Sequence, residues 1–294
     1  MDRRQVLKGA VAGALTMWAA PRFLKAQLPE KLQVVDGGGA NVLAFATGDG
    51  LVLVDSGAPK SGNNVMAALK GARVQTLFNT HYHLDQTGNN ELFAAAGAKI
   101  IAHERTRQWM STDYWVEAED RYEKARPKAA RPTETFLTVG SMKAGGEQID
   151  YGYLLLAHTS GDIYVHFRNA NVLAVGDVAS PLRDPSLDYY TGAWIGGRVD
   201  AMDNLLALCN DQTKIVPAYG PVMSKAEFKA ERDVMEEVRA RLFKQVREGN
   251  GPKDMLEEGV MKNLPRTWKD PSKFLYDAAK GLWAHHDKLD PNVV

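Results

Sequence analysis

Two imidazoles and a carboxylate recur at every second position in Asn79-Thr80-His81-Tyr82-His83-Leu84-Asp85-Gln86-Thr87-Gly88-Asn89. Nitrogen and oxygen donors at that density suit a metal ion. The preceding Val74-Gln75-Thr76-Leu77-Phe78 predicts a buried strand, which puts His81, His83 and Asp85 on the loop leaving it, where side chains converge. From Gly88 the pattern turns helical, with Leu92, Phe93 and Ala96 on one face and Gly97 as the stop. A lone His-x-His pair also occurs in loops that bind nothing. Donors elsewhere in the chain therefore decide what this one means.

Four further segments carry such donors: Val54-Asp55-Ser56-Gly57, Ala157-His158-Thr159-Ser160-Gly161-Asp162, Val175-Gly176-Asp177-Val178 and Val216-Pro217-Ala218-Tyr219-Gly220-Pro221. In order and spacing, the five segments resemble the metallo-β-lactamase superfamily over nearly the whole chain after residue 26. The resemblance implies an α+β fold, the four-layer αββα sandwich, and a metal-dependent hydrolase activity. It also implies that His81, His83 and His158 are the ligands of the family's first metal position. A catalytic zinc site wants three protein ligands and an open position for water, and these three supply that count. Water in such a site drops to a pKa of about 7, which gives hydroxide at neutral pH to attack an ester, amide or lactam carbonyl.

Two positions depart from the family pattern. Gln86 stands where the first motif ends in His, and Tyr219 stands where the last motif has its His. Of the family's second metal site Asp85 and Asp177 remain, but an amide oxygen is a weak zinc ligand and a phenol must lose its proton to bind strongly. The expectation is one zinc per chain and a second metal that is weak or absent. Asp85 would orient the attacking water, and Tyr219 would donate to the developing oxyanion. Read structurally, Asp85 and Asp177 are acceptors that orient imidazoles, Asp55 is a hydrogen-bonding residue beneath the site, and Gln86 and Tyr219 mark a reduced site.

The same resemblance leaves a second metal open. Relatives that oxidise persulfides bind one iron through two His and one Asp, and His81, His158 and Asp177 preserve that set. A binding protein without turnover is a third reading. For the substrate, a small molecule, the loop from Pro181 to Trp194 follows Asp177 and carries Tyr190 and Trp194, which with Gln86 are the candidate contacts. The aromatic stretch of Trp109, Tyr114, Trp115 and Tyr122 is a candidate lid, predicted helical; aromatics at this spacing also suit core packing.

The N-terminus, Met1-Asp2-Arg3-Arg4-Gln5-Val6-Leu7-Lys8 followed by an apolar stretch over residues 9–20, resembles a twin-arginine export signal. That stretch is too short to span a membrane, so residues 1–26 are expected to be a removable leader and the protein periplasmic. The whole chain balances 36 basic against 36 acidic residues; without the leader 31 face 35, and no basic stripe argues for nucleic acid. The sole cysteine, Cys209, follows an apolar helical run, so it reads as a small buried hydrophobe with no disulfide to form.

The remaining chain, about 268 residues long, contains no linker or repeat and is expected to be one domain, 27–294. Gly48-Asp49-Gly50 predicts a hairpin turn, Ser61 a helix cap, and Ser224-x-x-Glu227 a capping box for a long helix that ends at Gly249. Alternation in residues 163–168 predicts a half-buried strand with His166 on its outward face, a surface imidazole. His103, His285 and His286 lack partners at ligand spacing and are expected at surface or capping positions.

Overall fold

A computed structural model describes residues 27–116 and 120–285. The expected export signal and His286 lie outside the described residues.

One six-stranded sheet contains β1 (Leu32–Asp36), β2 (Asn41–Ala46), β3 (Leu51–Val54), β4 (Val74–Phe78) and β5 (Lys99–His103) in that order. A hairpin of β6 (Tyr114–Val116) and β7 (Arg121–Glu123) interrupts the chain before β8 (Glu134–Phe136) completes this sheet beside β5. The second sheet places β9 (Val139–Ala144), β10 (Glu147–Tyr153), β11 (Ile163–Phe167), β12 (Val172–Gly176), β13 (Lys214–Pro217) and β14 (Met223–Ser224) side by side. Against the first sheet pack α1 (Gly62–Ala68) and α3 (Asn90–Ala95), with the single turn α2 (Leu84–Thr87) between them in sequence. After α4 (Glu104–Ser111), the remaining helices α5 (Ile195–Leu208), α6 (Lys225–Arg247), α7 (Pro252–Glu257) and α8 (Pro271–Ala284) cover the second sheet.

Three separate apolar clusters correspond to the three interfaces of a four-layer αββα sandwich. Val65, Leu69 and Phe93 meet Leu53 and Leu77 on one outer face; Phe45, Phe78, Ile149 and Phe167 fill the space between the sheets; Leu173 and Ile215 lie under Val199, Phe228 and Leu275. Strand alternation accounts for this, because successive side chains of β4, β11 and β12 enter different clusters. The expected fold is the observed one.

Several local expectations hold. Ser224 and Glu227 form the capping box of α6, and Gly97 adopts φ 90° after α3, a conformation glycine tolerates. Ser61 does sit at the N-cap of α1, but its hydroxyl donates to the Ala58 carbonyl rather than capping the helix. The aromatic stretch after α4 is the β6–β7 hairpin, not helix: Tyr114 and Trp115 pair with Glu123 and Tyr122, a cross-strand arrangement that suits aromatics. His103 is buried, accepts from the Arg105 N–H as the cap of α4, and stacks on Tyr153 at 3.9 Å. Its capping role was legible, its burial was not. His166 does point away from the inter-sheet core, but it is buried too, because the helical layer covers that face of β11. The predicted surface imidazole is thus a core residue. His285 caps the end of α8 and meets the Gly192 carbonyl at 2.9 Å.

Within each sheet, parallel pairing brings functional strand ends to one edge. β3 runs parallel to β4, which aligns Asp55 with the segment after Phe78; β12 runs parallel to β13, which aligns Asp177 with Tyr219. The loop carrying His158 enters β11, antiparallel to β12, and so arrives at that same edge. Carboxyl ends of parallel strands, where the chain must leave the sheet, are where functional side chains gather.

Candidate metal centre

His81, His83 and His158 meet at this edge, with their ligating atoms all within 4.8 Å of one another. The tautomer of each ring follows from its outer partner. Thr80 donates its only hydroxyl proton to Asp55 at 2.7 Å, so at 3.1 Å it can only accept from His81 Nδ1, and His81 Nε2 keeps its lone pair. His158 Nδ1 lies 2.8 Å from the Ser186 carbonyl, which accepts and never donates, so the lone pair is on Nε2. His83 Nε2 lies 3.2 Å from Asp188 Oδ2, which leaves Nδ1 facing inward.

Three ring nitrogens therefore face one another, and each offers a lone pair to a metal when His83 is neutral. His83 Nδ1 and His158 Nε2 are 3.0 Å apart, and His81 Nε2 is buried without a partner. Nitrogens bound tetrahedrally to zinc at about 2.05 Å stand about 3.3 Å apart, so the set fits a metal ion. Without a cation, the buried His81 nitrogen would be a desolvated acceptor with nothing to accept. Burial holds His81 and His158 well below the ordinary imidazole pKa, which keeps both neutral as ligands must be. For His83 burial acts downward, but the hydrogen bond and charge of Asp188, then the charges of Asp85 and Asp177, outweigh it and the net shift is upward.

The loops are held as firmly as the rings. Asp162 accepts from the backbone N–H groups of His158 and Thr159 at 2.6 and 2.7 Å, and burial pushes its carboxyl up to about 7. Asp55, at the end of β3 with φ 64°, takes both the N–H and the hydroxyl of Thr80 at 2.7 Å. Burial pushes Asp55 up to about 8 despite those two bonds; a cation on the imidazole behind Thr80 acts in the opposite direction. Its expected place as a supporting residue beneath the site holds.

Asp177 is buried, with Oδ2 at 3.5 Å from His158 Nε2 and 3.8 Å from His81 Nε2. Both its oxygens also accept from Arg183 Nη2, at 2.8 and 2.6 Å. The Arg183 Cζ lies over the Tyr219 ring, 3.5 Å from its centroid, and the Tyr219 hydroxyl donates to Asp85 Oδ2. A phenol has one proton to give, and here Asp85 receives it. The Tyr219 hydroxyl, expected to donate to an oxyanion, here donates to Asp85. Burial and the neighbouring Asp85 raise the phenol further above its ordinary pKa.

Of the expected substrate contacts, Gln86 is fully buried with its amide unpartnered, and Trp194 is packed over Gly196 and Gly197 in the core, stacked on His285. Tyr190 is exposed and stacks on Tyr189 at 4.2 Å. None of the three lines the large cavity, about 460 Å³, formed by Trp109, Tyr153, Leu156, Ser160, Thr191 and their neighbours. No member of the imidazole cluster lines it either; Trp109 connects the two regions by stacking on Tyr82, whose hydroxyl donates to Asp188. Sequence reasoning singled out the loop from Pro181 to Trp194 for its aromatics, yet its charged residues, Arg183 and Asp188, are the ones at the site. Charge in a loop directly after the Gly-Asp segment was the signal available.

A four-layer αββα sandwich with three imidazoles converging at its inner strand ends defines a metal-dependent hydrolase-like enzyme. The chain belongs to the metallo-β-lactamase superfamily, whose family description its residues 35–216 match. It is similar to metallo-β-lactamase IND-1 of Chryseobacterium indologenes, 26% identical over 184 residues that cover 61% of this chain and 71% of that one. Among solved structures it is similar to a metallo-β-lactamase from Pontibacter korlensis, with TM-score 0.58 and 19% identity over 72% of this chain and 97% of that one. A double mutant of the sec-alkyl sulfatase PisA1 gives TM-score 0.64 and 13% identity, covering 90% of this chain and 50% of that one. At such identities the two solved structures speak to the fold alone.

Proposed function

We propose that this protein is an exported hydrolase that uses one zinc ion, held by His81 Nε2, His83 Nδ1 and His158 Nε2, to cleave an ester, amide or lactam carbonyl. The observation that carries this reading is the set of three inward ring nitrogens, each ring fixed by an outward partner. A zinc ion bound there supplies Lewis acidity and a water of lowered pKa. Asp85, anchored by the Tyr219 hydroxyl at Oδ2, orients the attacking water and takes its proton. Tyr219 is then a positioning residue that fixes the Asp85 carboxylate. Similarity to IND-1 makes a lactam one candidate substrate, and Arg3-Arg4 with Leu7-Lys8 supports export by the twin-arginine route.

Elemental analysis of the exported protein, paired with a panel of ester, amide and lactam substrates, tests this. The expected result is about one zinc per chain, with His158→Ala losing both metal and turnover. A protein that hydrolyses any of these substrates without bound metal would refute the reading.

The two-His-one-carboxylate iron reading has one observation in its favour, the approach of Asp177 Oδ2 to His158 and His81. Against it, both Asp177 oxygens are engaged by Arg183. Iron content after purification without oxygen separates the two.

A further inference from the structure

We propose that the guanidinium of Arg183 is the resident second cation of this centre, occupying the carboxylate position where a second metal would bind and keeping the site mononuclear. The inference rests on the single-metal reading above and explains why that reading holds. In a two-metal site the ions stand about 3.5–4 Å apart and share carboxylate ligands. Asp177 is the carboxylate placed for such sharing, since its Oδ2 approaches two of the imidazole nitrogens. Arg183 Nη2 already holds both its oxygens, and its Cζ lies over Tyr219, whose hydroxyl is bonded to Asp85. The two acidic residues left for a second metal are thereby tied to one guanidinium, directly or through the phenol ring.

The arrangement is built into the loop and is not a chance surface pair. Arg266 Nη2 donates to the Arg183 and Ser180 carbonyls, and the fully buried Arg198 donates to the Asp177 carbonyl at 2.8 Å and to Ser180 Oγ at 3.0 Å. Glu231 accepts from the Ser180 N–H at 2.7 Å and lies 3.7 and 3.6 Å from Arg198 and Arg266. Segment 177–183 is thus fixed at both ends by buried ionic groups, which sets where Arg183 enters the site. Guanidinium stays charged at any working pH and cannot ligate a metal, so a dication brought to Asp177 meets repulsion rather than an exchangeable ligand. Its side chain is about a third exposed, so the same group faces the opening, where it can bind an anionic oxygen without taking part in proton transfer.

Zinc alone, titrated calorimetrically into metal-free full-length protein, tests the inference. Wild type is expected to bind one ion. Gln86→His with Tyr219→His, which restores both missing imidazoles, should also stop at one, because Arg183 still holds Asp177. Adding Arg183→Gln to that pair should take the count to two, and adding Arg183→Lys instead should leave it at one. If the triple variant does not fold, Arg183→Gln alone should show a weak second binding event that wild type lacks. Two ions in wild type, two in the double variant, or one in a folded triple variant would each overturn the role of Arg183 while leaving a metal hydrolase standing. No ion in wild type would overturn the single-metal reading itself and this inference with it.

Discussion

Asp188→Ala gives the sharpest test of how the centre is supported. The carboxylate accepts from His83 Nε2 at 3.2 Å and from the Tyr82 hydroxyl. Burial alone would raise its pKa, but the bond to and charge of His83, then the bond from Tyr82, outweigh burial and hold it below the ordinary carboxyl range. Removing it has two separable effects. Tyr82 is buried and its hydroxyl loses its acceptor, which costs about 1–3 kcal/mol of stability. His83 loses the group that fixes its ring and tautomer, and such losses lower metal affinity by roughly 10–100-fold, about 1.4–2.7 kcal/mol. The His83 side chain is 29% exposed, so water can replace part of its lost bond, and its share of the stability cost is small.

The stability change is read by urea unfolding of the metal-free protein, the affinity change by competition with a chromophoric zinc chelator. Tyr82→Phe is the control: the ring and the Asp188–His83 contact remain, so zinc affinity should stay within about threefold of wild type, far short of the range for a lost supporting carboxylate. A zinc affinity unchanged in Asp188→Ala, or lowered equally in Tyr82→Phe, would show that Asp188 does not orient His83.

Four other expectations follow from the geometry. His166→Ala, in a buried position beneath the helical layer, should cost more than about 1 kcal/mol in thermal or urea unfolding while leaving zinc binding intact, since a surface site would cost under about 0.5 kcal/mol. Burial holds His103 and His166 below their ordinary pKa, so each is neutral in the fold at a pH where the unfolded chain protonates it; stability should fall as pH drops below about 6.5 and level off once the folded pKa is passed, and His103→Gln should flatten the slope measured between pH 7.5 and 5.5. Arg198→Met leaves Glu231 buried and short of one cationic partner and frees the Asp177 carbonyl, so it should destabilise by about 3–5 kcal/mol in urea unfolding. Tyr219→Phe should keep the metal, checked by elemental analysis, and lower kcat by roughly tenfold or more through a less ordered Asp85; an unchanged kcat would remove that positioning role.

What the sequence made legible is what is local or periodic. The apolar run Val74-Gln75-Thr76-Leu77-Phe78, the capping box at Ser224 and the stop at Gly97 are decided within a few residues, and each formed as expected. The imidazole triad was legible because two of its members share one loop and the resemblance to the family marks the third, which opens a turn closed by Asp162. Burial of His166 and His103 was not, because alternation reports which face a side chain takes and says nothing of the layer that covers that face. The β6–β7 hairpin was misread for a related reason: aromatic spacing suits a helix face and a strand pair alike, and pairing depends on a partner segment beyond the turn.

Supporting contacts escaped because they join residues far apart in the chain, with Asp188 over a hundred positions beyond His83 and Tyr219 farther still from Asp85. The same separation changes the meaning of Gln86 and Tyr219. Read singly along the chain, each is a lost imidazole. In space Tyr219 offers a ring face to Arg183 and a hydroxyl to Asp85, two contacts that a metal-ligating imidazole at that position would not make together. An arginine placed on Asp177 gains from an aromatic face beside it, since stacking stabilises the guanidinium by about 0.5–2 kcal/mol, more as the site dries. A phenol there is thus suited to the neighbour it has, and on the role proposed for Arg183 the missing imidazole and the half-buried arginine are one change in the centre rather than two.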